Sequence, residues 1–264
     1  MKNVLFLFIV LISLSSCKKD AYSGEGYNLF FFPRKVKNVF ITPGEQHFSY
    51  YQEVKQIDYF RLESDTVTED QFFISVLTSN YDPRPDLFKD NPNYDPKSSM
   101  PVGYPYSFDN LDDPIPSVEQ QIKSDYDRQA QTYSKGGNND VMISIEYRTT
   151  EIKNLTISTT NTPLFGKSAG ASLNDFFTAV LYDPPVIISA PTERLVYGYS
   201  SKEYPASIDE WLSVSPFGQA TMLLVPNKKI EGLPLNVQFA VKMETAEGLV
   251  LSDTTRVITI TDAY

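Results

Sequence analysis

At 264 residues, with 23 lysines and arginines against 33 aspartates and glutamates and a formal net charge of −10, the chain lacks the clustered cationic footprint that a nucleic-acid partner requires. Its single cysteine and single histidine exclude an intramolecular disulfide, a two-histidine zinc motif and any site that needs separate histidine base and histidine ligand. Seventeen phenylalanines, 17 tyrosines and 18 prolines suit strands and loops better than long helices.

The chain begins with a short basic start, Met1-Lys2-Asn3, an apolar run from Val4 to Leu14, and Leu14-Ser15-Ser16-Cys17. At about 1.5 Å per residue that run is too short to cross the hydrocarbon of a bilayer as a helix, and it fits the apolar core of a signal peptide. Small residues directly before a cysteine resemble the cleavage site of bacterial lipoproteins. Residues 1–16 are therefore expected to be removed, leaving Cys17 as an acylated N-terminus and membrane lipid as its partner. With the only cysteine used this way, no thiol nucleophile or cysteine metal site remains. Residues 17–27 read as a solvated tether.

A β-rich domain is expected over 28–264. Leu29 to Phe32 is continuously apolar, Val39 to Ile41 reads as a short strand ended by the turn dipeptide Pro43-Gly44, and Phe48 to Leu62 holds one or two further strands. Phe72, Ile74 and Val76 alternate. An inserted loop and helix are expected over 80–137. The loop, Asn80 to Pro116, contains eight prolines, seven aspartates and four tyrosines without helical or strand period, and excursions of that length are usually functional or disordered. Ser117-Val118-Glu119-Gln120 reads as a capping box for a surface helix carrying Val118, Ile122 and Tyr126, stopped at Lys135-Gly136-Gly137.

The C-terminal core, 141–264, opens with Val141, Ile143, Ile145 and Tyr147 on one face and Met142, Ser144, Glu146 and Arg148 on the other. Ile152 to Thr159 is a second strand. Ser172-Leu173-Asn174-Asp175 caps a short helix through Ala179, and Ser207-Ile208-Asp209-Glu210 caps another before Trp211. Val237, Phe239, Val241 and Met243 alternate up to the turn Glu247-Gly248, and the returning strand, Leu249 to Ile260, changes parity near Asp253, where a bulge is expected. The class that follows is mainly β: an antiparallel β-sandwich, immunoglobulin-like in its C-terminal half, with short helices and the long Pro/Asp/Tyr-rich excursion. One domain and two are both compatible with this pattern.

Catalytic machinery is not legible. His47 lies after a turn with no Gly-x-Ser-x-Gly elbow in the chain, and reads as a surface or strand-edge residue. Asp58, Glu63, Asp112-Asp113 and Asp209-Glu210 could supply a carboxylate pair for glycoside hydrolysis, but the separation such a pair needs is spatial. Asp90, Asn93 and Asp95 could ring a calcium ion, although side chains of these types beside proline are also turn formers, and no metal or other cofactor is expected. Tyr81, Tyr94, Tyr104 and Tyr106 either display rings to a sugar or peptide or cover the edge of the core. Asp65-Thr66-Val67 and Asp253-Thr254-Thr255 resemble the aspartate-threonine sequon that Bacteroidetes-type bacteria O-glycosylate on exported proteins, with strand-edge threonine as the plainer reading of Thr66 and Thr254.

The lipobox start, Tyr147-Arg148-Thr149-Thr150-Glu151-Ile152-Lys153-Asn154-Leu155-Thr156-Ile157, Ser172-Leu173-Asn174-Asp175-Phe176 and the closing hairpin together resemble a lipoprotein family of Bacteroidetes-type bacteria that carries a domain-of-unknown-function label. The resemblance covers mainly the second half. It implies a cell-envelope location and a β-rich fold, and transfers no catalytic residue. The expectation is an exported outer-membrane lipoprotein, periplasmic or surface-facing, whose domain is a non-catalytic binding module for a glycan, a peptide or an envelope protein. A structural subunit of a surface assembly is the alternative, and a carboxylate glycoside hydrolase a more remote one.

Overall fold

The computed structural model describes residues 28–51, 54–82, 111–120, 123–124, 142–180, 207–213 and 221–263. These residues are mainly β. The strands are β1 (Asn28–Arg34), β2 (Asn38–Tyr51), β3 (Val54–Arg61), β4 (Thr66–Thr68), β5 (Phe72–Ser79), β6 (Met142–Arg148), β7 (Ile152–Thr159), β8 (Phe177–Val180), β9 (Thr221–Pro226), β10 (Leu235–Val237), β11 (Phe239–Thr245), β12 (Val250–Thr254) and β13 (Ile258–Thr261). Among the described residues, helical structure is found at 116–120 and 123–124 (α1), in a 3₁₀ turn at Asn174–Phe176, and in α2 at Ile208–Ser213.

The largest sheet runs β3-β2-β5-β9-β8, and a smaller one β12-β11-β7, both antiparallel throughout. Their facing sides enclose the core in a sandwich-like packing. Phe72 of β5 stacks on Phe239 of β11 at 5.3 Å, and Phe177 of β8 meets the same ring edge-on at 6.2 Å. The sheet β10-β13-β4 contributes Val237, Ile258, Ile260 and Val67 to this core, and β6 adds Tyr147. Strands from the C-terminal half enter all four sheets, and in three of them they pair with N-terminal strands. The sandwich is thus built by the whole β-rich stretch rather than by 141–264 alone, and these sheets do not by themselves spell out an immunoglobulin strand order.

Two pairings depart from the antiparallel expectation: β1 with β6 and β4 with β13 are parallel. Parallel neighbours need long connections, so no local turn signal announces them. The β1–β6 ladder sets Arg148 opposite Arg34, and both are almost wholly inaccessible, so the face expected to be polar is buried at this end of β6 along with Tyr147 on the other.

The Pro43-Gly44 turn is not formed; β2 runs straight through it. The Leu62 N–H donates to the Pro43 carbonyl at 3.3 Å, and because a strand residue points both backbone groups to one edge, the missing N–H of Pro43 falls where β3 is ending. Gly44 is required by packing. It pairs with Phe73, and a Cβ there would run into the Phe73 ring and lie 2.7 Å from the Phe60 carbonyl oxygen. Phe73, with Leu223 and Val180, forms a second cluster on the far side of the large sheet, so β5 is buried on both faces and its simple alternation described only one of them.

The parity change near Asp253 is real, but its cause is a change of sheet. β12 pairs with β11, the chain leaves the ladder at Thr255, and β13 joins β10 and β4. Asp253 itself uses its carboxylate to accept the Ile41 N–H of β2 at 3.1 Å, tying the two large layers together. The helix starts are corrected as well. α1 begins at Pro116, with the Ile115 carbonyl accepting from Val118 and Glu119, so proline rather than Ser117 opens it. The helix expected through Ala179 stops after one 3₁₀ turn, because Phe177 and Ala179 are drawn into β8 and buried.

Candidate functional site

β7 is an outer strand, and its free edge needs hydrogen-bond partners. Asn174 supplies them. Its Oδ1 accepts the Ile157 N–H at 2.9 Å and its Nδ2 donates to the Leu155 carbonyl at 2.7 Å, so one carboxamide takes the place of a strand residue. α2 packs alongside. Asp209 and Leu212 of α2, Asn174, and residues of β7 and β11 line a groove of about 690 Å³.

The polar side of this groove is set by a bulge. In the β7–β11 ladder Asn154 pairs with Glu244 and Ile152 with Thr245, which leaves Lys153 as an extra residue. Lys153 and Asn154 are consequently both exposed, and they share one carboxylate: Lys153 Nζ lies 2.8 Å from Glu244 Oε1, and Asn154 Nδ2 donates to Oε2 at 3.4 Å. The hydrogen bond from Lys153, then that from Asn154, then the lysine charge hold the Glu244 carboxyl below its ordinary range. Thr156 and Lys242 form the next pair along the floor, and Glu151 stands at the strand entrance. The groove therefore offers ammonium, amide and hydroxyl donors among three carboxylates, Glu151, Asp209 and Glu244. A proton-donating carboxyl needs a raised pKa, and Glu244 is shifted the opposite way.

Among the described side chains, Asp209 is the carboxylate singled out from sequence that enters this groove. Asp112 serves the fold: its Oδ2 accepts the Lys35 N–H and the Asn80 amide, each at 2.7 Å. Asp58 is exposed on β3, and His47 is exposed on β2, its Nε2 3.4 Å from Glu45 and its ring 4.6 Å from that of Phe60. Tyr81 packs against Phe40 and Leu77 at the core edge and is half-buried. Thr66 is exposed at the start of β4, whereas Thr254 is half-buried in β12. Cys17, Asp90, Asn93, Tyr94, Asp95, Tyr104 and Tyr106 lie outside the described residues.

Lys153, Asn154, Lys242 and Glu244 were not singled out from sequence. The interval of three between Ile152 and Leu155, followed by two to Ile157, was the available sign that the strand carries an extra residue. Among the described residues, no group of three His, Cys, Asp or Glu side chains could hold a metal ion, and no helix is long and apolar enough to cross a membrane. No family model matches the sequence, and no curated protein or solved structure is significantly similar to it.

Proposed function

We propose that the chain is an exported lipoprotein of the cell envelope, anchored through acylated Cys17, and that its sandwich-like domain is a non-catalytic binding module. The observation that carries the binding reading is the groove over β7 and β11, about 690 Å³ with two lysines, three carboxylates, two asparagines and a threonine on its walls. Hydrogen-bonding groups of both kinds on a sheet surface, braced by Asn174 and by the Lys153–Glu244 pair, match a ligand rich in hydroxyl or amide groups, such as a glycan strand or an extended peptide. Outer-membrane placement follows from the lipobox reading together with the absence of a strong acidic run after Cys17, and the excursion from Asn80 to Pro116 is a second contact surface in this reading.

The test is direct. Full-length chain is titrated calorimetrically with neutral and amino-sugar oligosaccharides and with peptides from the organism's own envelope proteins, beside Lys153→Ala, Lys242→Ala and a deletion of residues 83–110. Loss of binding in the lysine variants with an unchanged thermal midpoint supports the groove; loss only in the deletion moves the contact to the excursion. Binding untouched by all three sinks the proposal. Mass spectrometry of the N-terminal peptide tests the anchor, which fails if Cys17 carries no acyl chain.

A further inference from the structure

Shortly after β7 the chain doubles back through a two-residue turn. The Leu164 N–H donates to the Lys167 carbonyl at 3.0 Å, and the Lys167 N–H donates to the Leu164 carbonyl at 2.9 Å. Both residues between them have positive φ, Phe165 at 54° and Gly166 at 77°. Asparagine, aspartate and glycine suit the first of these positions, and a bulky side chain there is an outlier that needs a reason. Ring contacts hold it: Phe165 stacks on Phe176 at 4.9 Å and meets Phe177 edge-on at 6.1 Å. Phe165 also lines, with Pro163 and Leu164, the apolar wall of a pocket of about 290 Å³, whose charged wall is Lys228, Lys229 and Glu231.

Covering the core accounts for the ring but not for these charges. Lys228 Nζ lies 5.5 Å from the centre of the Phe176 ring, which keeps an ammonium beside the aromatic stack. Among the described residues, neither Lys228 nor Lys229 takes part in an ion pair, and Lys167 at the turn takes part in none. A chain of net charge −10 therefore gathers unneutralised cations at this one turn.

We propose that this pocket binds a single carboxylated sugar ring, a uronate unit of an acidic glycan. The carboxylate meets the two lysines, Glu231 accepts a ring hydroxyl, and the C–H face of the sugar lies on Phe165 and Pro163. A phosphate dianion suits these walls less well, because Glu231 repels its second charge and no lining arginine offers a fork. The volume sits near the lower end of small-molecule sites, about 300 Å³, which fits one ring rather than a chain. No residue is shared with the groove over β7 and β11, so the inference does not depend on ligand binding there.

The full-length chain is titrated with D-glucuronate, D-glucose and inorganic phosphate, and amide NMR shifts are followed. Glucuronate should move residues 164–167 and 228–231 with a Kd of about 1 mM, the strength of a small fragment, and glucose should bind at least about tenfold more weakly. Lys228→Ala combined with Lys229→Ala, both at exposed positions, should weaken glucuronate at least about tenfold with the thermal midpoint unchanged. Phe165→Asn keeps a residue at home at positive φ while deleting the ring, and should weaken binding several-fold with the Leu164–Lys167 bridge retained. Lys153→Ala, in the groove, should leave glucuronate affinity unchanged. No shift up to about 20 mM glucuronate overturns the proposal, as does glucose binding equally well or affinity indifferent to the double lysine variant. Shifts confined to the groove overturn the site, and phosphate binding more tightly than glucuronate overturns the ligand class.

Discussion

Asn174→Ala removes the carboxamide that closes the β7 edge, and its cost can be worked from the contacts. The substitution leaves the Ile157 N–H and the Leu155 carbonyl without the partners they now have at 2.9 and 2.7 Å. A buried group stripped of its partner costs about 1–3 kcal/mol, and because both bonds are only part-buried, about 1–1.5 kcal/mol applies to each, giving about 2–3 kcal/mol together. For a domain of this size that corresponds to a fall of about 5–10 °C in thermal midpoint. Urea denaturation should show a lower midpoint with an unchanged slope. Asn174→Asp separates hydrogen bonding from packing. Its carboxylate can still accept from Ile157 but opposes the Leu155 carbonyl, so the folded state favours the protonated acid, raising its pKa. The variant should therefore be most stable below the unfolded carboxyl pKa and lose that advantage as pH rises through the folded one. A cost for Asn174→Ala below about 0.5 kcal/mol, the range of ordinary surface changes, would refute the reasoning.

Gly44→Ala drives a methyl group into the Phe73 ring and toward the Phe60 carbonyl, and should cost about 1–3 kcal/mol by denaturation; an unchanged midpoint would mean that Phe73 is free to move aside. Tyr147→Phe removes a hydroxyl that donates to Glu119 at 2.7 Å and accepts from the Ile115 N–H at 2.9 Å, so the α1 start should loosen at a cost of about 1–3 kcal/mol, read by denaturation and by hydrogen exchange at residues 118–120. Burial, reinforced by Glu119 and only partly offset by the Ile115 bond, raises the Tyr147 pKa above the ordinary tyrosine range. Its contribution is thus complete below the unfolded pKa and lost as pH climbs through the folded one, so the alkaline decline of stability should be shallower in Tyr147→Phe. Glu244 has the opposite sign: its depressed pKa gives a contribution present above the ordinary glutamate range and lost as pH falls through the folded value. Lys153→Ala should move the Glu244 carboxyl titration, followed by carbon NMR, back up toward that range, and no movement would deny the pairing.

Much of the strand inventory was legible because each strand with one buried face writes that face into alternate residues. Ile152 to Thr159 and the β11 alternation of Phe239, Val241 and Met243 appear in the structure where the pattern puts them, and Gly248, with φ of 85°, turns the hairpin into β12. Pattern reading failed where burial is two-sided or where polar atoms substitute for strands. Pro43-Gly44 has the composition of a turn, yet the Phe73 ring on one neighbour and the ending of β3 on the other make both residues fit a strand interior. Asn174 looked like part of a helix cap, and its side chain instead completes a sheet edge contributed by residues 155 and 157.

The sequence by itself determined the class of the molecule. Alternating apolar residues require sheets with a buried face, proline and glycine limit helices, and one cysteine and one histidine restrict the chemistry whatever the fold. Only the tertiary structure decided partnership: which strands lie side by side, that Asp253 and Asn174 tie layers and edges, and that a bulge at Lys153 aims lysine and asparagine at one glutamate. The physical reason is range. Side-chain periodicity is set by neighbours along the chain, whereas pairing, edge closure and the groove depend on residues brought together from distant positions, Asp253 meeting a backbone amide 212 residues earlier in the chain.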